Sequence, residues 1–153
     1  MAKYIISACL LGKNCKYNGG NNNNTTIIEF LKDKEYITVC PEVSGGLSTP
    51  RDPSEIVNTF PLKVINNKGK DVTNNFINGA YIEWDKIKNE EIICAILKEK
   101  SPSCGTKYRY DGTFSSTIIE ESGVFASLLK EKGIKVYSEE SFIKEVIEND
   151  STK

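Results

Sequence analysis

The residues Ile92-Ile93-Cys94-Ala95-Ile96-Leu97 form an unbroken apolar run of strand length in a chain that is otherwise charged every few residues. Such a run has no polar face to offer water, so it belongs in the middle of a sheet covered on both sides, as parallel strands with crossover helices are. Shorter β-rich runs at Tyr4-Ile5-Ile6, Tyr36-Ile37-Thr38-Val39 and Ile134 to Tyr137 supply neighbours for it. Helical patterns fall between them. Thr25 or Thr26 can cap a helix carrying Ile27, Ile28 and Leu31. Asp71 or Thr73 can cap the longest helix, carrying Val72, Phe76, Ala80, Ile82 or Tyr81, and Ile87. Val124, Ala126, Leu128 and Leu129 mark a helix closed by Gly133, and Ser138 caps a last helix with Phe142, Val146 and Ile147. Strands alternating with helices predict a Rossmann-like α/β fold, a parallel sheet with helices on both faces.

The connections are distinctive. Gly12 to Asn24 is too rich in Gly and Asn for regular structure, and Pro41 to Pro61 holds four prolines and Gly45-Gly46, which predicts a long ordered loop of the functional kind. A small strand at Leu62 to Ile65 and turns at Asn66 to Gly69 and Tyr110 to Thr113 complete the pass. At 153 residues the chain suits one domain, over 1–148, with 149–153 a polar tail that frays. The 20 Lys and Arg balance 21 Asp and Glu and are interspersed with them, so no basic stripe for nucleic acid is expected. No apolar run approaches the roughly 18 residues of a membrane span, and the N-terminus lacks a signal peptide's pattern; the expected location is cytoplasmic.

Histidine is absent and cysteine occurs five times. Acid–base chemistry therefore falls to carboxylates, Lys, Tyr or Cys, and an odd number of thiols in a reducing compartment points to metal or thiol chemistry. In an open parallel sheet ligands bind at the strands' carboxyl ends. Cys9 follows the first strand, Cys40 the second, and Cys104 lies in the loop after the apolar strand, so the three converge if those strands are neighbours. Three thiolates hold either zinc with an open position or an iron–sulfur cluster with one iron free of protein ligands; a small buried hydrophobe is the plainer role for each. Cys94 reads as core, and Cys15 as a loop residue that could pair with Cys9. Glu42 can serve as general acid or base, or simply be a solvated surface carboxylate. Ser101 and Ser103 can orient a substrate or cap a turn, and Arg51 and Arg109 can bind an anion or bridge loops.

The segments Ser7-Ala8-Cys9-Leu10-Leu11-Gly12, Cys40-Pro41-Glu42-Val43-Ser44-Gly45-Gly46-Leu47, Thr49-Pro50-Arg51, Gly69-Lys70-Asp71-Val72-Thr73, Leu97-Lys98, Ser101-Pro102-Ser103-Cys104-Gly105 and Tyr110-Asp111-Gly112-Thr113-Phe114 resemble, in order, a bacterial and archaeal family long catalogued as being of unknown function, whose characterised members are thiouracil desulfidases. The resemblance runs from about residue 4 to residue 140. It implies a [4Fe-4S] cluster on Cys9, Cys40 and Cys104 and removal of sulfur from a small thiolated compound such as 2-thiouracil, with no net redox change. It further implies that Glu42 and Ser101 position the base and assist protonation; Ser103 and Arg51 are the candidate substrate-binding residues beside them. Cys15 and Cys94 match no cluster ligand. The competing expectations are a binding protein that holds a cluster, a metal ion or carried sulfur without turnover, and a redox protein using Cys9 and Cys15.

Overall fold

The computed structural model describes residues 2–151. In chain order the elements are β1 (Lys3–Ser7), a 3-10 turn (Ala8–Leu11), α1 (Thr25–Leu31), β2 (Tyr36–Val39), α2 (Pro41–Ser44), β3 (Ser54–Asn58), β4 (Lys63–Asn66), α3 (Thr73–Ile87), β5 (Ile92–Leu97), β6 (Arg109–Tyr110), β7 (Ile118–Ile119), α4 (Val124–Glu131), β8 (Val136–Ser138), α5 (Glu139–Phe142), a π turn (Ile143–Ile147) and α6 (Glu148–Ser151).

Four strands form a parallel sheet in the order β2-β1-β5-β8. Ser7 stands opposite Val39, and Ile6 opposite Ile96, so β1, β2 and β5 end nearly level. Alternation along the strands divides the core by face. Ile5, Val39, Ala95 and Leu97 pack under α3 and α4 with Ala80, Ile87, Phe125 and Leu129. Tyr4, Ile6, Cys94 and Ile96 face the other way, against Ile27 and Leu31 of α1 and Phe142 of α5, where Tyr4, Phe30, Tyr137 and Phe142 meet edge to face. The doubly covered α/β architecture is as the apolar run predicts, and Cys94 is core.

Several local expectations are corrected. The Pro-rich stretch from Pro41 to Pro61 contains regular structure: α2 begins with Pro41 at its first position, where a missing N–H costs nothing, and β3 pairs antiparallel with β4. A second small hairpin, β6 with β7, was hidden by its two-residue strands. α1 is capped by Asn24, whose side chain accepts the Ile27 N–H, rather than by Thr25 or Thr26. On α3, Tyr81 and Ile82 are each 50% exposed, and Glu83 occupies the buried stripe between Ala80 and Ile87. Ser138 does cap the last helix, reciprocally with Ser141, but that helix passes through a π turn and runs to Ser151, three residues into the expected tail.

Arg109 is a structural bridge. It is 3% exposed and donates to the carbonyls of Ile56, Tyr110 and Ser122, to Thr59 and to the Glu121 carboxylate, joining the two hairpins through one buried fork. No helix among the described residues is long and apolar enough to cross a membrane.

Candidate active site

Because β1, β2 and β5 end side by side, the loops leaving them meet at one sheet edge around a cavity of about 600 Å³. Its wall includes Cys9, Cys40, Cys104, Glu42, Ser101 and Arg51, together with Cys15, Ser7, Lys98 and three aromatic side chains, Tyr17, Tyr110 and Phe114. Small-molecule sites typically enclose about 300 to 1,000 Å³, so there is room for a compact cofactor and a small substrate together.

Each thiol is fixed by its own loop. The Cys9 carbonyl accepts the N–H groups of Gly12 and Asn22, and Asn22 Nδ2 lies 3.4 Å from Cys9 Sγ. Burial pushes the Cys9 thiol up, against that hydrogen bond. Cys104 is driven up further by its full burial, opposed by a hydrogen bond from Ser7. Cys40 goes the other way, lowered to about 7, chiefly because the Cys15 thiol donates to it, while burial opposes the shift. Cys15 is raised in return by the same contact and by burial, and Cys40 Sγ lies 3.9 Å from the Cys15 carbonyl oxygen. All five cysteines are free, and Cys15 interacts most strongly with Cys40 and more weakly with Cys9.

The Cys40 loop rests on a residue that sequence reasoning missed. Glu83, 3% exposed on α3, accepts the Cys40 N–H at 2.9 Å and the Ser44 hydroxyl at 3.0 Å, with Lys86 Nζ 3.2 Å away. The signal was available: Phe76, Ala80, Glu83 and Ile87 share one helical stripe, and a carboxylate in an apolar stripe needs partners. α2 lies against α3 so closely that a Cβ on Gly79 would meet the Pro41 carbonyl oxygen at 1.8 Å, and one on Gly45 would meet the Asn75 carbonyl oxygen at 2.0 Å.

The Cys104 loop is clamped to α4. The N–H groups of Val124, Phe125 and Ala126 have no side-chain cap and donate instead to the carbonyls of Pro102 and Ser103. The Ser101 Oγ accepts the N–H groups of Ser103 and Cys104 at 3.1 and 3.0 Å. Its own proton is thereby directed at Glu42 Oε2, 3.5 Å away.

Glu42 is held at both oxygens. Ser103 Oγ donates to Oε2 at 3.3 Å, and Arg51 Nε to Oε1 at 3.2 Å. Ser103 is 1% exposed and stands behind Glu42, not on the cavity wall. Arg51 also donates to the carbonyls of Ser48 and Cys15 and to Thr49 Oγ1. Four of its five N–H groups are thus engaged within the protein, and it ties Glu42 to the Cys15 loop.

The donor set fits an iron–sulfur cluster: soft thiols from three neighbouring loops and no imidazole, with Cys94 in the core and Cys15 on the cavity wall beside Cys40. Among the described residues no three Cys, Asp or Glu side chains draw together tightly enough for a single metal ion.

Residues 4–141 match the 2-thiouracil desulfurase family over most of the chain. The chain belongs to that family. A relative from Bacillus subtilis (strain 168), the uncharacterized protein YbbK, is 39% identical over 142 residues, covering 88% of this chain and 94% of its own. A solved structure of the [4Fe-4S]-dependent thiouracil desulfidase TudS is similar over 100% of both chains, with 35% identity and a TM-score of 0.85. Membership in the 2-thiouracil desulfurase family accords with the three-thiol cavity, and the likeness to TudS extends to the whole α/β fold.

Proposed function

We propose that the chain is a [4Fe-4S]-dependent desulfidase that removes sulfur from a small thiolated pyrimidine such as 2-thiouracil, with Cys9, Cys40 and Cys104 as the cluster ligands. The observation that carries this reading is the convergence of three thiols from three neighbouring loops on one cavity that also holds the clamped Glu42. The family and the likeness to TudS support it. When bound, the cluster would supply a thiophilic, Lewis-acidic iron without a protein ligand, able to stabilise sulfur as it leaves carbon.

The rest of the chemistry belongs to the protein. Replacing C=S by C=O with water moves both protons of the water off its oxygen and onto the departing sulfur, which leaves as hydrogen sulfide, so a proton must be carried there directly or by way of a ring nitrogen. Glu42 is the titratable group placed to move that proton in a site without histidine. Arg51 and Ser103 fix its two oxygens, so it has one orientation rather than several. Ser101 is preset as a donor to Glu42 Oε2, because two backbone N–H groups occupy the lone pairs of its oxygen. Arg51 orients Glu42 and retains one N–H for a substrate oxygen or sulfur, and Ser103 acts on substrate through Glu42.

The test is sulfide release from 2-thiouracil under anaerobic conditions by the cluster-loaded protein. Sulfide and uracil in equal amounts, lost in Cys104→Ala and lowered about a hundredfold or more in Glu42→Gln, are the expected results. Substrate bound without sulfide released would contradict the reading and leave a binding or carrier protein.

A further inference from the structure

The Tyr110-Asp111-Gly112-Thr113-Phe114 motif has no part in the thiol or carboxylate chemistry, yet its loop forms the far wall of the same cavity. Phe114 is 39% exposed, apolar, and sits at φ 57°, in the left-handed region that bulky side chains rarely adopt. Ser116 follows at φ 61°. A loop holding two such residues persists only when its surroundings over-determine it.

They do. Glu55 of β3 accepts the N–H groups of both Gly112 and Phe114 with one oxygen, at 2.9 and 3.3 Å. Asp111 accepts the N–H and the hydroxyl of Thr113. A chain of hydroxyls runs from Thr113 through Ser115 to Thr117, and the Asp111 N–H donates to the Thr117 carbonyl, closing the loop. Gly112 abuts β3 so closely that a Cβ would meet the Ile56 carbonyl oxygen at 2.5 Å. This framework keeps an apolar ring on the cavity wall and out of the hydrophobic core.

We infer that Phe114 is the aromatic wall on which the planar face of the substrate ring stacks, with Glu55 as the positioning residue that holds it there. The other two aromatics are less suited to that face. The Lys16 ammonium already lies 5.9 Å from the Tyr17 ring, and Tyr110 belongs to the β6–β7 pair. A flat heterocycle presents a π-face as well as the polar groups at its edge, and an aromatic side chain is a general means of holding that face. The inference rests on the proposed desulfidase reading and adds a substrate-binding wall to it: an unsaturated, planar ring is held by its face.

The test compares the cluster-loaded parent with Phe114→Ala, Phe114→Asn and Phe114→Tyr, measuring iron per chain, kcat and KM for 2-thiouracil, and Kd for uracil by calorimetry. Asn tolerates the left-handed conformation but has no ring, so it separates loss of the ring from disturbance of the loop. The expected result is a rise of about tenfold in both KM and uracil Kd for Ala and Asn alike, with kcat changed much less, iron unchanged, and values restored by Tyr. Ala and Asn variants that keep the parent's KM and Kd overturn the stacking wall and leave the desulfidase reading intact. So does an Asn variant that matches the parent while Ala fails. A parent that binds uracil through Phe114 but yields no sulfide overturns the desulfidase reading and leaves the stacking wall standing.

Discussion

Glu42, the residue proposed to carry the proton, shows how much of such a group's placement is made by its neighbours. Its place two positions after Cys40, at a strand's end, is visible in the sequence; the short helix α2 that carries it onto the cavity wall is not, because the prolines and Gly45-Gly46 read as loop. Its orientation is not visible, since Ser103 and Arg51 come from two other loops. Removing the buried Ser103 hydroxyl takes away one of those holds. Ser103→Ala is expected to lower kcat severalfold with KM little changed, at a stability loss of about 1 kcal/mol, read by steady-state kinetics and thermal melting. Asp111 gives a residue-scale test of the cavity's far wall. The Thr113 hydroxyl and N–H hold its carboxyl below the ordinary aspartate value of 3.8. A depressed folded value means that this contribution to stability is present above the unfolded pKa and is lost as pH falls through the folded one. Thr113→Val is expected to move Asp111 back toward 3.8, as followed by carboxyl NMR titration; an unmoved Asp111 would show that the hydroxyl is not the cause.

At the scale of elements, α3 carries the consequences. The sequence pattern identified it as the longest helix but placed Tyr81 or Ile82 on its buried face, where Glu83 stands. Hydrophobicity was the wrong guide there because the stripe does two jobs: Phe76, Ala80 and Ile87 pack in the core, while Glu83 and Gly79 receive α2 and so position Cys40. Gly79→Ala forces a methyl into the Pro41 carbonyl and is expected to cost about 3 kcal/mol or more, with cluster content falling in proportion. Glu83→Gln keeps an acceptor for the Cys40 N–H and can donate to Ser44 Oγ, so it is expected to retain the cluster. Glu83→Ala strands both groups at about 1 to 3 kcal/mol each. Thermal melts with iron counts distinguish these outcomes, and a Gln variant as damaged as Ala would show that charge rather than hydrogen bonding matters. The hairpin strands β3, β6 and β7 escaped sequence reading for a related reason. They are short, are bounded by prolines or polar turns, and draw their stability from Arg109 and one small apolar cluster rather than from an alternating pattern of their own.

For the whole molecule, topology is what turns scattered cysteines into a site. The order β2-β1-β5-β8 makes the strands preceding Cys9, Cys40 and Cys104 immediate neighbours, and level registers bring their loops to one edge. That convergence was legible from the two-faced apolar strand and the position of each cysteine after a strand. The pairing of Cys15 with Cys40 was not, because it depends on the path of an irregular loop held by Arg51. A cofactor held by three separate loops binds the folded chain and not the unfolded one, so cluster loading is expected to raise Tm and chelation to lower it. Ligation by Cys9, Cys40 and Cys104 is tested by the iron and acid-labile sulfide content per chain, with the visible spectrum, of protein reconstituted without oxygen, for the parent and for Cys9→Ala, Cys40→Ala and Cys104→Ala. The three-thiol account predicts about four of each in the parent, a loss in all three variants, and retention in Cys94→Ala. Zinc or free thiols in place of iron, or a cluster that survives any of the three substitutions, would contradict it.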